Sequence, residues 1–320
     1  MRVLVTGNLG YIGPVLCEAL ALAGHEVHGY DSALFARFAT GPLPKIAKQT
    51  AADLRDTEAL ESAALGCDAI VQLAAMSNDL LGELEPALTR SVNLDATLEV
   101  VRIAAGRPLL LYSSASVYGL TAERCGETST VRPLTLYSEL KVAVERAALA
   151  LPRALVLRNG TVHGPAPILR TDLLLNAMVG SAVTTGEIVL TTTRATARPV
   201  LDVRDLAALS VGLLERGSTG LYNAAATNVT VGEAADLVAG LTGAKVVSRY
   251  GGADRRSYAM DTTKLERAVA SWWRPRPLEE SVADLVRHYR AIGLTAADVA
   301  SRRYHRIAQY NARPAVAAAG

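Results

Sequence analysis

The feature that most restricts the fold of this chain is its beginning. Arg2–Thr6 is a short run rich in β-branched residues, and it passes at once into Gly7-Asn8-Leu9-Gly10-Tyr11-Ile12-Gly13. Apolar residues then recur at helical spacing over 11–23, until Gly24-His25 breaks the helix. In a strand that turns through glycines into a helix, the glycines permit a tight turn, close approach of the main chain to a pyrophosphate, and close helix–strand packing. The amino end of the helix then faces the anion. A second strand-like run, 26–30, ends at Asp31. A carboxylate there can accept hydrogen bonds from both ribose hydroxyls and repels a 2′-phosphate. The pattern predicts dinucleotide binding by Gly7, Gly10, Tyr11, Ile12, Gly13 and Asp31, with NAD favoured over NADP. Arg37, a little further on, is a cation that leaves NADP open.

The alternation continues. Residues 69–73, 109–113 and 154–157 read as buried strands, and 91–105 and 136–149 as helices. This predicts an α/β fold, a Rossmann-type doubly wound parallel sheet with helices on both faces. Beyond about residue 160 the pattern loosens. Gly164-Pro165-Ala166-Pro167 reads as a loop, and the Thr-rich stretch 184–198 has room for a short strand. Residues 202–215, 231–241 and 279–290 read as helices, and 221–224 as a strand. The expected organisation is an NAD-binding domain over 1–160, to which about 200–225 returns, and a smaller, mixed α/β C-terminal substrate domain over 161–311. The Pro/Ala-rich tail 312–320 is expected to fray.

Composition narrows the partners. Half of the 320 residues are apolar and 20% are charged, an ordinary globular balance. Lys and Arg number 33 against 31 Asp and Glu, with no dense basic block, which argues against nucleic acid or an anionic membrane surface. Cys17, Cys67 and Cys125 are odd in number, far apart and not in metal-ligand spacing. They imply a reducing compartment, no disulfide framework and no metal. The apolar run 3–5 stops at Thr-Gly with no cleavage-type sequence behind it, and no stretch is long enough to span a bilayer. A cytoplasmic protein is expected.

A second constellation carries chemistry. Tyr137 and Lys141 lie one turn apart on a predicted helix and share a face. An ammonium near a phenol favours the phenolate, which makes tyrosine a usable acid and base near neutrality. Upstream, Ser113-Ser114-Ala115-Ser116-Val117-Tyr118-Gly119 follows a buried strand. A hydroxyl at that strand end sits at the carboxyl edge of the sheet, where ligands of open α/β sheets bind. Ser114 is placed to hydrogen-bond the reacting oxygen that Tyr137 protonates or deprotonates. Ser113 and Ser116 also suit turn chemistry after the strand.

In this order and spacing, the glycine motif, the Ser-Ser-Ala-Ser-Val-Tyr-Gly stretch and Tyr-x-x-x-Lys resemble the extended short-chain dehydrogenase/reductases. Within them the chain is similar to the NAD-dependent epimerase/dehydratase family from Met1 to about Arg290. The resemblance implies an NAD-dependent enzyme acting on a nucleotide-diphosphate sugar, and a homodimer formed through helices 91–105 and 136–149. It implies cofactor contacts from Asp53 and Leu54 at the adenine, from Leu73, Ala74 and Ala75 along the cofactor, and from Asn93, Ser113, Tyr137, Lys141 and Asn159. Gln72 stands where the family usually has His. Arg158-Asn159-Gly160-Thr161-Val162-His163-Gly164-Pro165 resembles Arg-x-x-Asn-Val-Tyr-Gly-Pro, with Thr161 and His163 as departures. On the substrate side it points to Ser114, Ser116 and Asn176, and for the diphosphate to Arg198 and to Arg255 or Arg256, because guanidinium forks suit phosphate oxygens. Met76-Ser77-Asn78-Asp79, after the cofactor loop, is a candidate wall of the sugar pocket.

The resemblance also bears on the reaction. The family's 4,6-dehydratases carry Asp-Glu after the catalytic hydroxyl residue, and its decarboxylases carry a Glu in this stretch. Here the positions are Ala115 and Ser116, as in the 4-epimerases. The expected reaction is therefore epimerisation at C4, in which Tyr137 takes the proton of the sugar hydroxyl while NAD takes and later returns a hydride. A 4-keto-sugar reductase using NAD(P)H, an atypical dehydratase drawing its carboxylate from elsewhere, and a non-catalytic NAD-binding regulator are the alternatives.

Overall fold

Strand β1 (Arg2–Thr6) runs through the interior of a seven-stranded sheet, with Val3, Leu4 and Val5 fully buried. A computed structural model describes residues 1–77, 79–249 and 256–312. In chain order the further strands are β2 (Glu26–Asp31), β3 (Lys48–Ala51), β4 (Ala69–Gln72), β5 (Leu109–Ser114), β6 (Leu120–Cys125), β7 (Ala154–Asn159) and β8 (Thr161–His163). They are followed by β9 (Glu187–Leu190), β10 (Ala197–Asp202), β11 (Gly220–Ala224), β12 (Thr227–Thr230), β13 (Lys245–Ser248) and β14 (Ser257–Met260). The large sheet has the order β3-β2-β1-β4-β5-β7-β11, and all its pairings are parallel.

Both faces are covered, so the central strands are apolar at successive positions instead of alternating with polar ones. Val3 and Val5 face one core, with Leu110, Leu155 and residues of helices Gly13–Leu22 and Val203–Glu215. Leu4 points the opposite way, into a second core with Ile70, Leu111, Val156 and Val144. Chain order reverses on either side of β1, between β2 and β4. Their carboxyl ends therefore open the crevice in which such sheets bind ligands.

Past β7 the chain builds smaller sheets. Strand β10 joins β8 and β12, β9 pairs with β13, and β6 pairs with β14, while β11 returns to the large sheet beside β7. A third core gathers helices Leu174–Thr185, Val231–Thr242 and Leu278–Ala291. The Thr-rich stretch thus contains the end of a helix, all of β9 and the start of β10. The predicted helix over 91–105 is also not uniform. Ser91–Ala96 is wound as a π-helix before the α-helix Thr97–Ile103 begins. The Thr97 hydroxyl donates to the Val92 carbonyl at 3.1 Å within this widened turn. After Leu278–Ala291 the chain folds back, and helix Arg306–Asn311 packs Ile307 and Tyr310 against Leu34, Met76 and Leu81.

Candidate active site

The glycine turn is as crowded as its sequence implies. Gly7 has φ +75°, and its N–H donates to the Tyr30 carbonyl at 2.8 Å. A Cβ on Gly7 would lie 2.5 Å from the Ala74 nitrogen, and one on Gly13 would lie 2.5 Å from Asn8 main-chain atoms. Asp31 is oriented by two main-chain donors, Leu9 N–H at 3.0 Å and Ala33 N–H at 2.8 Å, one on each oxygen. Burial raises its pKa, opposed by those two donors and by Arg306. Gly7, Gly10, Tyr11, Ile12, Gly13 and Asp31 line a cleft of about 880 Å³, as do Asp53 and Leu54. Asp53 is already held by Arg55, through contacts of 2.8 and 2.7 Å.

Arg37 is not part of this wall. It is exposed, donates to the Ala312 carbonyl and lies over the Phe38 ring. The arginines that line this end are Arg55 and Arg306, neither of which the sequence singles out.

Leu73, Ala74 and Ala75 run along the cleft. Buried Gln72 anchors them, donating to the Ala74 carbonyl at 2.9 Å and to the Thr97 hydroxyl at 3.3 Å while accepting from Thr6. Asn93 departs from expectation, because it is buried behind the loop and does not line the cleft. It accepts from Met76 N–H at 2.8 Å and donates to the Met76 carbonyl at 3.1 Å. The π-helical turn aims Asn93 at the loop, so it acts on the cleft through Met76.

Across the cleft, Thr135 caps helix Leu136–Leu149 through a capping box with Ser138, which places Tyr137 in the first turn and Lys141 one turn later. The Ser114 hydroxyl lies close enough to Tyr137 to favour its phenolate, and it accepts from the Ser116 N–H at 3.2 Å and the Ser116 hydroxyl at 2.9 Å. Ser113, Ser114, Ser116, Tyr137, Lys141 and Asn159 all line the cleft. Behind them the Ser113 hydroxyl donates to Glu145, which forms a buried 2.8 Å ion pair with Arg158. Lys141 donates to the Tyr112 carbonyl at 2.7 Å. Burial brings its pKa down to about 8, against the pull of Glu145.

The electrostatics of Tyr137 differ from the sequence reading. Burial and then Asp79 raise its pKa well above the ordinary phenol value, and the cation working in the opposite direction is Arg170, helped by the nearby Ser114 hydroxyl. Lys141 lies over the ring face. Arg170 is buried on the cleft wall, bonded to Asp172 at 3.1 and 2.7 Å and to Ser77 at 3.2 Å. Asp172 is held down to about 2: burial is the largest single influence and raises it, but the charge and hydrogen bonds of Arg170, with help from Arg306, together outweigh it.

At the far end, Arg198 and Arg256 line the cleft with Asp79 and Tyr258. Arg198 donates to the Ala197 carbonyl at 2.8 Å and to the Arg256 carbonyl, and it lies over the Tyr258 ring. Arg256 forms an ion pair with Asp79. Arg255 and Asn78 lie outside the described residues. Asn176 does not reach the cleft. It is fully buried, accepts from Gly164 N–H at 3.1 Å and donates to Tyr11 at 3.1 Å and to the Arg170 carbonyl at 3.0 Å. Its helix directs it at the 164–170 loop, so it braces that loop instead of facing a substrate. His163 is likewise 1% exposed and off the wall, 2.8 Å from the Ser281 hydroxyl, and burial lowers its pKa to about 4. The sequence reading missed Arg170, Asp172, Tyr258 and Arg306. Arg170 and Asp172 lie in a loop, Tyr258 on a four-residue strand and Arg306 at the start of a short helix, and only the tertiary fold brings them together.

The residues present fit a dinucleotide. The two glycine positions leave no room for a side chain, Asp31 is oriented at the strand end, and the Asn159 Oδ1 acceptor is buried without a partner. A glycine cradle joined through one cleft to a Ser-Tyr-Lys cluster, on an all-parallel sheet, defines an extended short-chain dehydrogenase/reductase. Residues 3–225 match the NAD dependent epimerase/dehydratase family, and the chain belongs to that family. Among solved structures, it is similar to UDP-glucose 4-epimerase of Thermus thermophilus in complex with NAD, at 26% identity and a TM-score of 0.77, covering 91% of this chain and 99% of that one. MoeE5 in complex with UDP-glucose and NAD gives the same identity, coverage and TM-score. UDP-glucose 4-epimerase of Streptomyces lividans is 30% identical over 151 residues, 45% of each chain. The alignments span about half the length of the curated relatives, between 42% and 61% of the first three. No helix among the described residues is long and apolar enough to cross a membrane.

Proposed function

We propose that this protein is an NAD-dependent epimerase of a nucleotide-diphosphate sugar, acting at C4. The observation that carries the reading is the pair after Ser114: Ala115 and Ser116 are buried and neither is a carboxylate, while Ser114 and Tyr137 share the cleft wall. Bound NAD supplies an acceptor that takes a hydride and returns it, so no redox co-substrate is consumed. Gly7, Gly13, Asp31 and Asn159 would hold it. Ser114 fixes the sugar oxygen, and Tyr137 removes and returns its proton at the phenol oxygen. Arg170 and Lys141 supply the positive surroundings that favour the phenolate. Arg198 and Arg256 are the candidate partners of the substrate diphosphate. The relatives that bind UDP-glucose support a uridine nucleotide as the first candidate. Residues 1–160, with the return over 200–225, would hold the cofactor and 161–311 the sugar, in a cytoplasmic homodimer built on the two helices named above.

One observation favours a second reading. Asp79 lines the cleft close enough to raise the pKa of Tyr137, so a carboxylate is present for an elimination, although Arg256 pairs with it.

The test is to denature purified protein, assay the supernatant for NAD, and incubate fresh protein with UDP-, dTDP- and GDP-sugars. Epimer formation without added cofactor is expected, and Tyr137→Phe should lower it by about 10²–10⁴-fold. Turnover that requires stoichiometric NAD(P)H would make the protein a reductase, and an unsaturated product would make it a dehydratase. Wild-type turnover by Tyr137→Phe would sink the mechanism.

A further inference from the structure

The C-terminal helix Arg306–Asn311 brings a guanidinium into the cofactor end of the cleft. Arg306 is 3% exposed and lines the cleft wall. It lies 3.8 Å over the Phe35 ring, and its Nη1 donates to Gln309 at 3.2 Å. Its Nε is buried without a partner, and it forms no ion pair with any described residue. The two arginines nearest to it on the wall differ in this respect: Arg170 is bonded to Asp172 and Arg55 to Asp53.

A guanidinium out of water with an unmatched N–H is costly unless an anion offsets it. Its position narrows the choice. The charge of Arg306 acts on Asp31, whose carboxylate accepts from Leu9 in the glycine turn, and Arg306 in turn feels Arg170 and Asp172. It therefore stands between the ribose-side acid and the Tyr11–Arg170 side of the cleft. The anion that a dinucleotide brings to a glycine turn is its diphosphate, and a planar guanidinium fork matches phosphate oxygens. We propose that Arg306 binds the diphosphate of the cofactor, so that the C-terminal helix retains the cofactor in the cleft. The inference rests on the cofactor assignment and is independent of which sugar reaction follows. Consistent with an unmatched buried cation, burial and then Arg170 bring the Arg306 pKa down to about 9, with Asp172 and Asp31 pulling it up.

A diphosphate also comes with the sugar substrate, so the test separates the two. Full-length protein stripped of nucleotide is titrated with NAD, NADP, ADP, adenosine and UDP, for wild type, Arg306→Met and Arg306→Lys. The Met variant keeps a stem that packs on Phe35 but has no charge. It should weaken NAD and ADP at least tenfold while leaving adenosine and UDP unchanged, and the Lys variant should recover most of the loss. Cofactor-free Arg306→Met should melt at or above the wild-type temperature, because it removes an unmatched buried charge. A purely structural arginine would instead lower that temperature and weaken adenosine as much as NAD, which would overturn the proposal. Equal NAD affinity in wild type and Arg306→Met would do the same, as would a loss confined to UDP or to NADP. If the wild type itself binds no NAD, the cofactor assignment fails first and takes this inference with it.

Discussion

The Lys141 ammonium lies 5.6 Å from the centre of the Tyr137 ring, over its face. It is anchored there by the carbonyl of Tyr112, the residue of β5 just before the serines. One turn of helix brings the two residues to the same cleft, but the geometry makes Lys141 a positively charged floor under the ring. Arg170 adds a second positive charge that favours the phenolate.

Lys141 should leave a signature in stability against pH. Its folded pKa of about 8 lies below the ordinary 10.5. Between these values the unfolded chain holds more protons than the folded one, so stability rises with pH there. The penalty of burying the ammonium is fully present below pH 8 and fades toward pH 10.5. Melting temperatures of cofactor-free wild type and Lys141→Met should differ most near pH 7, in favour of Met, and converge by about pH 11. A difference that stays constant across that range would show that Lys141 is not buried as a depressed cation.

Arg170→Met should move the pH–rate profile. Arg170 opposes the upward displacement of the Tyr137 pKa, so its removal raises the phenol further and carries the ascending limb of kcat/KM to higher pH. At neutral pH the loss should be on the order of tenfold for every pH unit by which the limb moves. An unmoved limb with a lowered plateau would assign Arg170 to substrate placement instead.

Gly7 and Gly106 form a matched pair. Both have positive φ, +75° and +81°, but a Cβ on Gly7 meets Ala74 main chain whereas one on Gly106 meets nothing within 4 Å. Gly106→Ala should cost only the left-handed penalty of about 1–2 kcal/mol. Gly7→Ala adds an overpacking cost of about 1–3 kcal/mol and should also displace the cofactor loop. Thermal unfolding with and without NAD separates the two effects; equal destabilisation of both variants would remove the argument from close approach.

The Glu145–Arg158 pair, with side chains 3% and 7% exposed, supports the serine side of the site from behind. Glu145→Ala should cost about 3–5 kcal/mol by stranding the guanidinium. The combination Glu145→Leu with Arg158→Met should recover most of this while still depriving the Ser113 hydroxyl of its acceptor. Denaturant midpoints of the wild type and the two variants test the ordering, and a double variant less stable than Glu145→Ala would refute it.

Much of the fold was legible because its signals are local. The helix over Leu136–Leu149 and strand β1 fall where periodicity places them, and the ends of β2, β4 and β5 differ from expectation by about one residue. The shorter elements were missed: β3 is only Lys48–Ala51 and largely exposed, so it carries no apolar run. β6 and β14 pair across 132 positions between Cys125 and Ser257, a relation no local pattern encodes.

By itself the sequence determined the glycine turn, the strand-end acid and the Ser114–Tyr137–Lys141 set, because each depends on a turn, a strand end or one helical repeat. Only the tertiary structure decided which other polar groups share the cleft. It brought Arg170, Asp79 and Arg306 to the wall, and turned Asn93 and Asn176 away to brace the loops at Met76 and Gly164. The physical reason is that a loop, as at Arg170, has no repeat to fix the direction of a side chain, and that a helical repeat, as at Asp79, Asn93, Asn176 and Arg306, does not say what a side chain will face. Its direction is set by the packing of distant elements and by the requirement that every buried polar group find a partner.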